Sequence, residues 1–415
     1  MKRLACTTSL LFALLAIFVA CNGNKSSSDR SSNNTSPSES VATPKPQGAA
    51  PSPATVVTWE GMCRDGKPDA CFNLGVVYDG GIGNRQDGEK AAEFFGLACE
   101  LGDQVGCANL GAMYALGKGA SANPAKAIEL AGKSCDADVM QGCYNLGTIY
   151  LKGVGVAADP ASAFPLISKA CYGGMALACT SLGAMFESGS GATLDLGKSK
   201  ELYQAACDKQ DGLGCSNLGA LLEHGRGVPK DLARAAALYE SACNLGNAVG
   251  CNNLGAAYKH GVGVQQDIRM ASKWYDASCI KGFAPACYDL AFLYFEGQGV
   301  DQDRAKAMQL YGLACEGGEM NACYNWGVGH ETGQGVTKDV AKAVGLYRKA
   351  CDGGDLGGCT GLATMYAKGI GVAKDISKAA AMFEDSCNRG HKRGCQQRAA
   401  IESLPSAAAA KPAQR

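Results

Sequence analysis

The sequence predicts an all-α solenoid of 36-residue helix-turn-helix repeats with one disulfide per repeat. Three observations predict it. Ten cysteine pairs spaced C-x7-C recur every 36 residues: Cys63/Cys71, Cys99/Cys107, Cys135/Cys143, Cys171/Cys179, Cys207/Cys215, Cys243/Cys251, Cys279/Cys287, Cys315/Cys323, Cys351/Cys359 and Cys387/Cys395. The second cysteine of a pair opens a one-sided apolar pattern: Leu218, Gly219 and Leu222 follow Cys215 at i+3, i+4 and i+7, one face of a helix. Each full repeat then carries a glycine pair, from Gly81/Gly83 to Gly369/Gly371, followed by one aspartate or asparagine in a fixed place.

The chain opens with an export signal. Lys2 and Arg3 precede an apolar run from Leu10 to Val19. That run is too short to span a bilayer, so residues 1–20 read as a cleaved leader. Its close, Phe18-Val19-Ala20-Cys21, resembles a bacterial lipoprotein signal. The resemblance implies that Cys21 becomes the lipidated N-terminus, although Phe18 departs from the usual leucine. Ordinary secretory cleavage is the alternative. Either outcome places the protein outside the cytoplasm, in a bacterial cell envelope (periplasm or outer membrane) or secreted. Residues 21–54 are rich in Ser, Asn, Pro and Ala. They bury too little apolar surface to fold and read as a disordered tether. The folded body is expected over 55–403, and 404–415 is an Ala- and Pro-rich tail.

Within the body, Trp59 and Met62 predict a short leading helix. Each first helix starts near the second cysteine and ends at the glycine pair, where a left-handed turn is required. Its fourth slot after the cysteine is usually glycine, which admits a close neighbour at some cost in helix propensity. Its seventh slot is usually tyrosine: Tyr78, Tyr114, Tyr150, Tyr258, Tyr294 and Tyr366, with His330 in one repeat. Asp87, Asn123, Asp159, Asp195, Asp231, Asp267, Asp303, Asp339 and Asp375 should cap the second helices. Pro160 suits a helix start, and Pro165, further in, should kink that helix. Gln396, Gln397 and Arg398 replace Asn-Leu-Gly in the last unit and read as a polar end cap.

Of 22 cysteines, Cys6 lies in the leader, Cys21 is the lipidation candidate, and the ten pairs absorb the rest. An even, regular set in an exported chain reads as disulfides. Zinc is the competing reading, but it favours C-x2-4-C spacing. Each bridge should tie the end of a second helix to the first turns of the next first helix. Lys plus Arg equals Asp plus Glu at 39 each, and loss of Lys2 and Arg3 leaves 37 against 39, a charge of −2. Without a basic run, nucleic acid is not an expected partner.

The string Cys-x-Asn-Leu-Gly-x-x-Tyr, Gly-x-Gly-Val, Asp, Lys-Ala, Tyr, Ala-Cys resembles the Sel-one-like repeat, a relative of the tetratricopeptide repeat. Cys251-Asn252-Asn253-Leu254-Gly255 with Tyr258, and Lys378-Ala379 before Phe383 and Cys387, represent it. The C-x7-C pairs make it most similar to the Hcp-type, cysteine-rich exported members. The likeness covers about residues 60–400. It implies a right-handed αα-superhelix. It also implies two candidate activities: binding of partner proteins or peptides, or penicillin binding with weak β-lactamase activity.

The binding reading places a concave groove on the first helices. Asn73, Asn109, Asn145, Asn217, Asn253 and Asn325 share the second slot after the cysteine. Their amides could serve a peptide backbone, or bond to the next helix or to water. Tyr288, Phe292, Phe295 and Tyr324 would form an exposed aromatic anchor, or pack between repeats. Glu187, Glu223 and Glu331 recur in one groove slot. No catalytic residue is assigned. The one S-x-x-K, Ser278 to Lys281, overlaps a bridging cysteine and lacks the companion boxes of a serine β-lactamase. His224 and His260 share a slot, which suits a helix C-terminus as well as a metal pair. The expectation is a monomeric scaffold for a protein or extended peptide, touching membrane only through lipid, with no cofactor or metal. β-Lactam hydrolysis is the alternative.

Overall fold

A helix starts where a side chain can occupy its orphan amides, and stops where the backbone can turn left-handed. Both devices recur through a computed structural model that describes residues 52–80 and 86–402. The leader, Cys21, residues 22–51, Gly81 and Gly83, and the tail from 404 lie outside the described residues. Twenty helices are described: α1 (Pro53–Arg64), α2 (Pro68–Asp79), α3 (Gly88–Glu100), α4 (Gln104–Leu116), α5 (Pro124–Asp136), α6 (Met140–Lys152), α7 (Pro160–Tyr172), α8 (Ala176–Ser188), α9 (Leu196–Asp208), α10 (Gly212–His224) and α11 (Leu232–Asn244), then α12 (Ala248–His260), α13 (Ile268–Ile280), α14 (Ala284–Glu296), α15 (Arg304–Glu316), α16 (Met320–Thr332), α17 (Val340–Asp352), α18 (Leu356–Lys368), α19 (Ile376–Asn388) and α20 (Lys392–Glu402). They form two compact units, one ending at Leu245 and one beginning at Gly246.

Each even-numbered helix from α2 to α18 pairs with the odd-numbered helix after it as a hairpin. The predicted caps all form. Asp87 Oδ1 accepts from the Lys90 amide (3.1 Å) and Asp303 Oδ1 from the Lys306 amide (2.9 Å), and the other seven cap residues do the same. The cap residue also closes the turn. Its own amide donates to the carbonyl in the tyrosine slot, as from Asp303 to Tyr294 (3.0 Å) and from Asp339 to His330 (2.8 Å). In five hairpins a lysine on the first turn of the second helix lies over the aromatic ring in that slot: Lys90 over Tyr78, Lys126 over Tyr114, Lys198 over Phe186, Lys306 over Tyr294 and Lys378 over Tyr366. α7 runs through Pro165 as one element.

The glycine pair works as predicted, with a second purpose. Gly333 ends α16 at φ 78°. Gly335, at φ +74°, also leaves no room for a side chain: a Cβ there would lie 2.2 Å from the Arg304 carbonyl oxygen. The turn of one hairpin thus rests on the start of the preceding second helix.

In five hairpins a buried ring packs as a knob into a glycine hole, at Gly75, Gly183, Gly219, Gly255 and Gly327. Phe95, Tyr203, Tyr239, Tyr275, Tyr347 and Phe383 all lie 24 residues after the cysteine that opens their hairpin, and all are at most 2% exposed. The ring of Tyr239 fits against Gly219, where a Cβ would come within 2.8 Å of it. Tyr275 against Gly255 and Tyr347 against Gly327 repeat the fit. Fully burying one such ring contributes roughly 1.5–3 kcal/mol. A solenoid concentrates its apolar burial here because each hairpin rests only on its neighbours.

Nine bridges close within the units. In the first unit they are Cys63–Cys71, with Cα atoms 4.8 Å apart, Cys99–Cys107 (4.6 Å), Cys135–Cys143 (4.4 Å), Cys171–Cys179 (4.5 Å) and Cys207–Cys215 (4.5 Å). In the second they are Cys279–Cys287 (4.7 Å), Cys315–Cys323 (4.6 Å), Cys351–Cys359 (4.4 Å) and Cys387–Cys395 (4.5 Å). All lie inside the range that a disulfide accepts. Each joins the end of a second helix to the first turns of the next first helix, and Cys63–Cys71 fastens α1 to α2 in the same way. Cys243 and Cys251 belong to different units. The second cysteine of a bridge turns inward: Cys71, Cys107, Cys143, Cys179, Cys215, Cys287, Cys323 and Cys359 are buried, and Cys395, on the terminal helix, is half-buried. These cysteines are consumed as staples of the fold and are not surface groups that a ligand would meet. So many bridges mark an oxidising, extracytoplasmic environment.

Candidate binding face

First helices approach one another across hairpins, as α4 does with α6, α8 with α10, α16 with α18 and α18 with α20; no comparable approach joins second helices among the described residues. At these junctions the first helices form the tighter side. Slots two and five after the cysteine form the stripe on that side.

The six asparagines of the second slot do not share one environment. Asn73, Asn217, Asn253 and Asn325 are half-buried, whereas Asn109 and Asn145 are closed off at 0% and 3% exposure. Asn145 Nδ2 donates to the Ala108 carbonyl (2.9 Å), and Gln141 Nε2 donates to its Oδ1 (2.8 Å). Its amide thus ties α6 to α4, where the helices approach too closely to leave an open ladder.

Tyr288, Phe292, Phe295 and Tyr324 are half-buried and do not form an exposed patch. Three of them, Tyr288, Phe295 and Tyr324, pack against the core of the second unit. Tyr288 lies 5.7 Å from Tyr311, and Tyr324 lies 5.7 Å from Tyr347. The Arg304 guanidinium sits 5.4 Å from the Phe295 ring. The Tyr324 ring covers Gly357, whose missing side chain leaves the hollow, and its hydroxyl accepts from Arg393 Nη1 at 3.2 Å. Small residues on one first helix admit rings from the previous one, a complementarity between repeats that a helical wheel of a single helix does not display.

The slot-eight carboxylates have specific partners. Tyr203 donates to Glu187 (2.6 Å), Tyr239 to Glu223 (2.6 Å), and Tyr347 to Glu331. Burial pushes all three phenols up, and the adjacent carboxylate pushes in the same direction. Arg226 adds an ion pair to Glu187 at 2.5 Å. Where lysine replaces the acid, Lys259 bonds Asp289 of the next first helix (3.0 Å) and lies 5.8 Å from the ring centres of both Tyr275 and Phe292. Lys259, Asp289 and Arg393 were absent from the sequence-based candidates. One signal was available: Asp289 breaks the asparagine series one repeat after Lys259 breaks the acid series.

Ser278 is fully buried and donates to the Ala248 carbonyl (2.7 Å), which fixes it as a strut between α13 and α12. His224 and His260 are exposed at the ends of α10 and α12. His330 is buried beside Trp326, with Nδ1 3.2 Å from the Thr337 carbonyl. Among the described residues no three His, Cys, Asp or Glu side chains converge as a metal site, and no helix is long and apolar enough to cross a membrane. The stripe offers amides, rings and paired charges, a surface for recognition.

Known proteins share this construction. A protective antigen present in uropathogenic Escherichia coli strains, displaying an SLR fold, is 28% identical, with a TM-score of 0.60 over 85% of this chain and 76% of its own. A Sel1 repeat protein from Oxalobacter formigenes is 24% identical, with a TM-score of 0.55 over 84% of this chain and 92% of its own. Cysteine-rich protein B of Helicobacter pylori is 28% identical over 32% of this chain and 97% of its own, with a TM-score of 0.27. No curated protein matches the sequence. Nine consecutive segments match the Sel1 repeat: 68–103, 104–139, 141–175, 176–211, 212–247, 248–283, 284–319, 321–355 and 357–391. Because those matches span most of the chain, it belongs to the Sel1 repeat family.

Proposed function

We propose that the protein is an exported, monomeric scaffold that holds an extended segment of a partner protein against its first helices, with Cys21 as its lipidated N-terminus. Sel1 repeat proteins generally bind proteins, which supports the coarse reading. The observation that carries the finer one is a division of labour along the repeat. Cysteines, turn glycines and cap residues are consumed by the fold in hairpin after hairpin, and a buried ring is consumed in most of them. In the second unit the stripe of slots two and five changes identity from helix to helix while its side chains stay half-exposed: Asn253 and Ala256 on α12, Asp289 and Phe292 on α14, Asn325 and Val328 on α16. Specificity requires such variation on a rigid support. On α14 and α16, Phe292 supplies apolar area and Asp289 and Asn325 supply acceptors.

Cross-linking and mass spectrometry in the native envelope tests this reading. Cross-links to a partner should map to the first helices of the second unit, and a double Asn253→Ala, Phe292→Ala variant should lose them while keeping its melting temperature. Cross-links that survive in the variant, or that map to the second helices alone, would remove the stripe from consideration. Mass analysis of the mature N-terminus should find acylated Cys21, and an unmodified N-terminus at another residue would leave the scaffold reading without its anchor.

A further inference from the structure

The fold contains its own example of what sits on a slot-eight carboxylate. Arg226 lies between the paired glycines Gly225 and Gly227, and its Nη1 donates to Glu187 Oε1 of the preceding first helix at 2.5 Å. Lys118, between Gly117 and Gly119, reaches Asp79 of its own preceding first helix in the same way. In both cases the cation stands 39 residues after the acid. At Glu187 the two carboxylate oxygens divide the contacts: Oε2 accepts from the Tyr203 hydroxyl at 2.6 Å, and Oε1 accepts from the guanidinium.

Glu331 has half of that arrangement. It lies on α16, three residues beyond Val328 in the stripe that starts at Asn325, and it is half-buried. Its Oε2 accepts from the Tyr347 hydroxyl. The cation's place, between Gly369 and Gly371, belongs here to Ile370, which has no charge to offer. Arg393 of α20 reaches the Tyr324 ring beside Tyr347, where it donates to the Tyr324 hydroxyl at 3.2 Å and makes no ion pair with Glu331. Glu331 Oε1 has no hydrogen bond or ion pair among the described residues. It is not a buried orphan either, so it faces solvent. Tyr324 and Val328 pack on the apolar cluster that holds Tyr347, which leaves apolar ground beside the acid.

We propose, resting on the reading that the first helices hold an extended segment, that Glu331 receives a lysine or arginine side chain of that segment, in the way that Glu187 receives Arg226. The Tyr347 phenol already orients the carboxylate, so little side-chain freedom is lost when the cation arrives. A half-buried acid that meets its partner as water is excluded pairs more strongly than an exposed one. The alkyl stem of the incoming residue lies over Tyr324 and Val328 while its head reaches Oε1. An acidic residue at the same point of the segment is repelled, which gives the face a charge preference as well as a shape.

The probe is a random dodecapeptide library displayed on phage and panned on the purified, oxidised protein. Peptides that wild type retains should share a lysine or arginine at one position. Synthetic copies should bind Glu331→Gln roughly tenfold more weakly by fluorescence anisotropy. Glutamine keeps an acceptor for Tyr347, and an unchanged melting temperature verifies that the hairpin is intact. Ile370→Arg is the second variant: it rebuilds the internal ion pair at an exposed turn position and should weaken the same peptides by a similar factor. Replacing the peptide's basic residue with glutamine should weaken binding to wild type and leave binding to Glu331→Gln as it was. Retained peptides that lack a basic residue, or that bind wild type and Glu331→Gln equally, would overturn the cation site and leave the scaffold standing. A library from which wild type retains nothing would overturn the scaffold reading and the cation site together.

Discussion

Two residues stand where the repeat otherwise has glycine. The loop from a second helix to the next first helix turns through positive φ, as at Gly174 (101°), Gly246 (90°) and Gly318 (93°), but Asp138 and Gln210 hold the same place at 59° and 65°. Asp138 is compensated by an ion pair with Lys169 at 2.8 Å. Gln210 makes no side-chain hydrogen bond among the described residues and sits in a conformation that costs an L-residue about 1–2 kcal/mol. Gln210→Gly should therefore stabilise the protein by about 1 kcal/mol, after the entropy that glycine loses on folding. Urea unfolding measures it, and a lower midpoint would refute the strain. At this scale the sequence was readable slot by slot. It hid only what a slot meets across the gap, such as Asn145 closing on Ala108 and Tyr324 lying over Gly357.

A hairpin is held at up to three points: the cap at the start of its second helix, the disulfide to its neighbour and, in five hairpins, a ring in a glycine hole. The cap does double duty, since Asp303 accepts from the Lys306 amide while its own amide closes the turn on Tyr294. Asp303→Ala keeps the turn bond and loses the side-chain acceptor, which should cost about 1 kcal/mol. Asp303→Asn should recover most of it, because Asn123 caps α5 in the same way. Equal stability of the alanine and asparagine variants would show that the turn bond alone holds the start of α15. Helices, caps and turns were legible because each depends on residues within a few positions of one another. The partnership between slot eight and slot twenty-four was not legible, because it becomes visible only when two helices of known packing are superposed.

Across the whole molecule, the same small devices recur and their effects accumulate. Burial pushes up the phenols of Tyr203, Tyr239, Tyr275, Tyr311 and Tyr347. A folded-state pKa raised above the unfolded value gives stability that is complete below the ordinary tyrosine value of 10.0 and fades as pH climbs through the folded value. Melting temperature should hold steady from neutral pH to about 9 and fall steeply above 10. Absorbance at 295 nm should show these five phenols ionising only as the fold is lost, and smooth titration of all fifteen tyrosines in folded protein would contradict their burial. Each bridge closes a short loop worth about 2–3 kcal/mol in the chain-entropy description. Reduction should lower the melting temperature and broaden the transition, because units coupled only to neighbours unfold in parts. A sharp, unshifted transition in reductant would show that the helices hold without their staples.

The sequence by itself determined the period, the helix pairs, their caps and turns, and the partner of each cysteine within the described units, because all of these arise from interactions spanning fewer than about ten residues. Only the tertiary structure decided which polar side chains remain available. That outcome depends on how closely neighbouring first helices approach: tight packing spends Asn145 on a backbone carbonyl, while Asn253 in the same slot stays half-exposed.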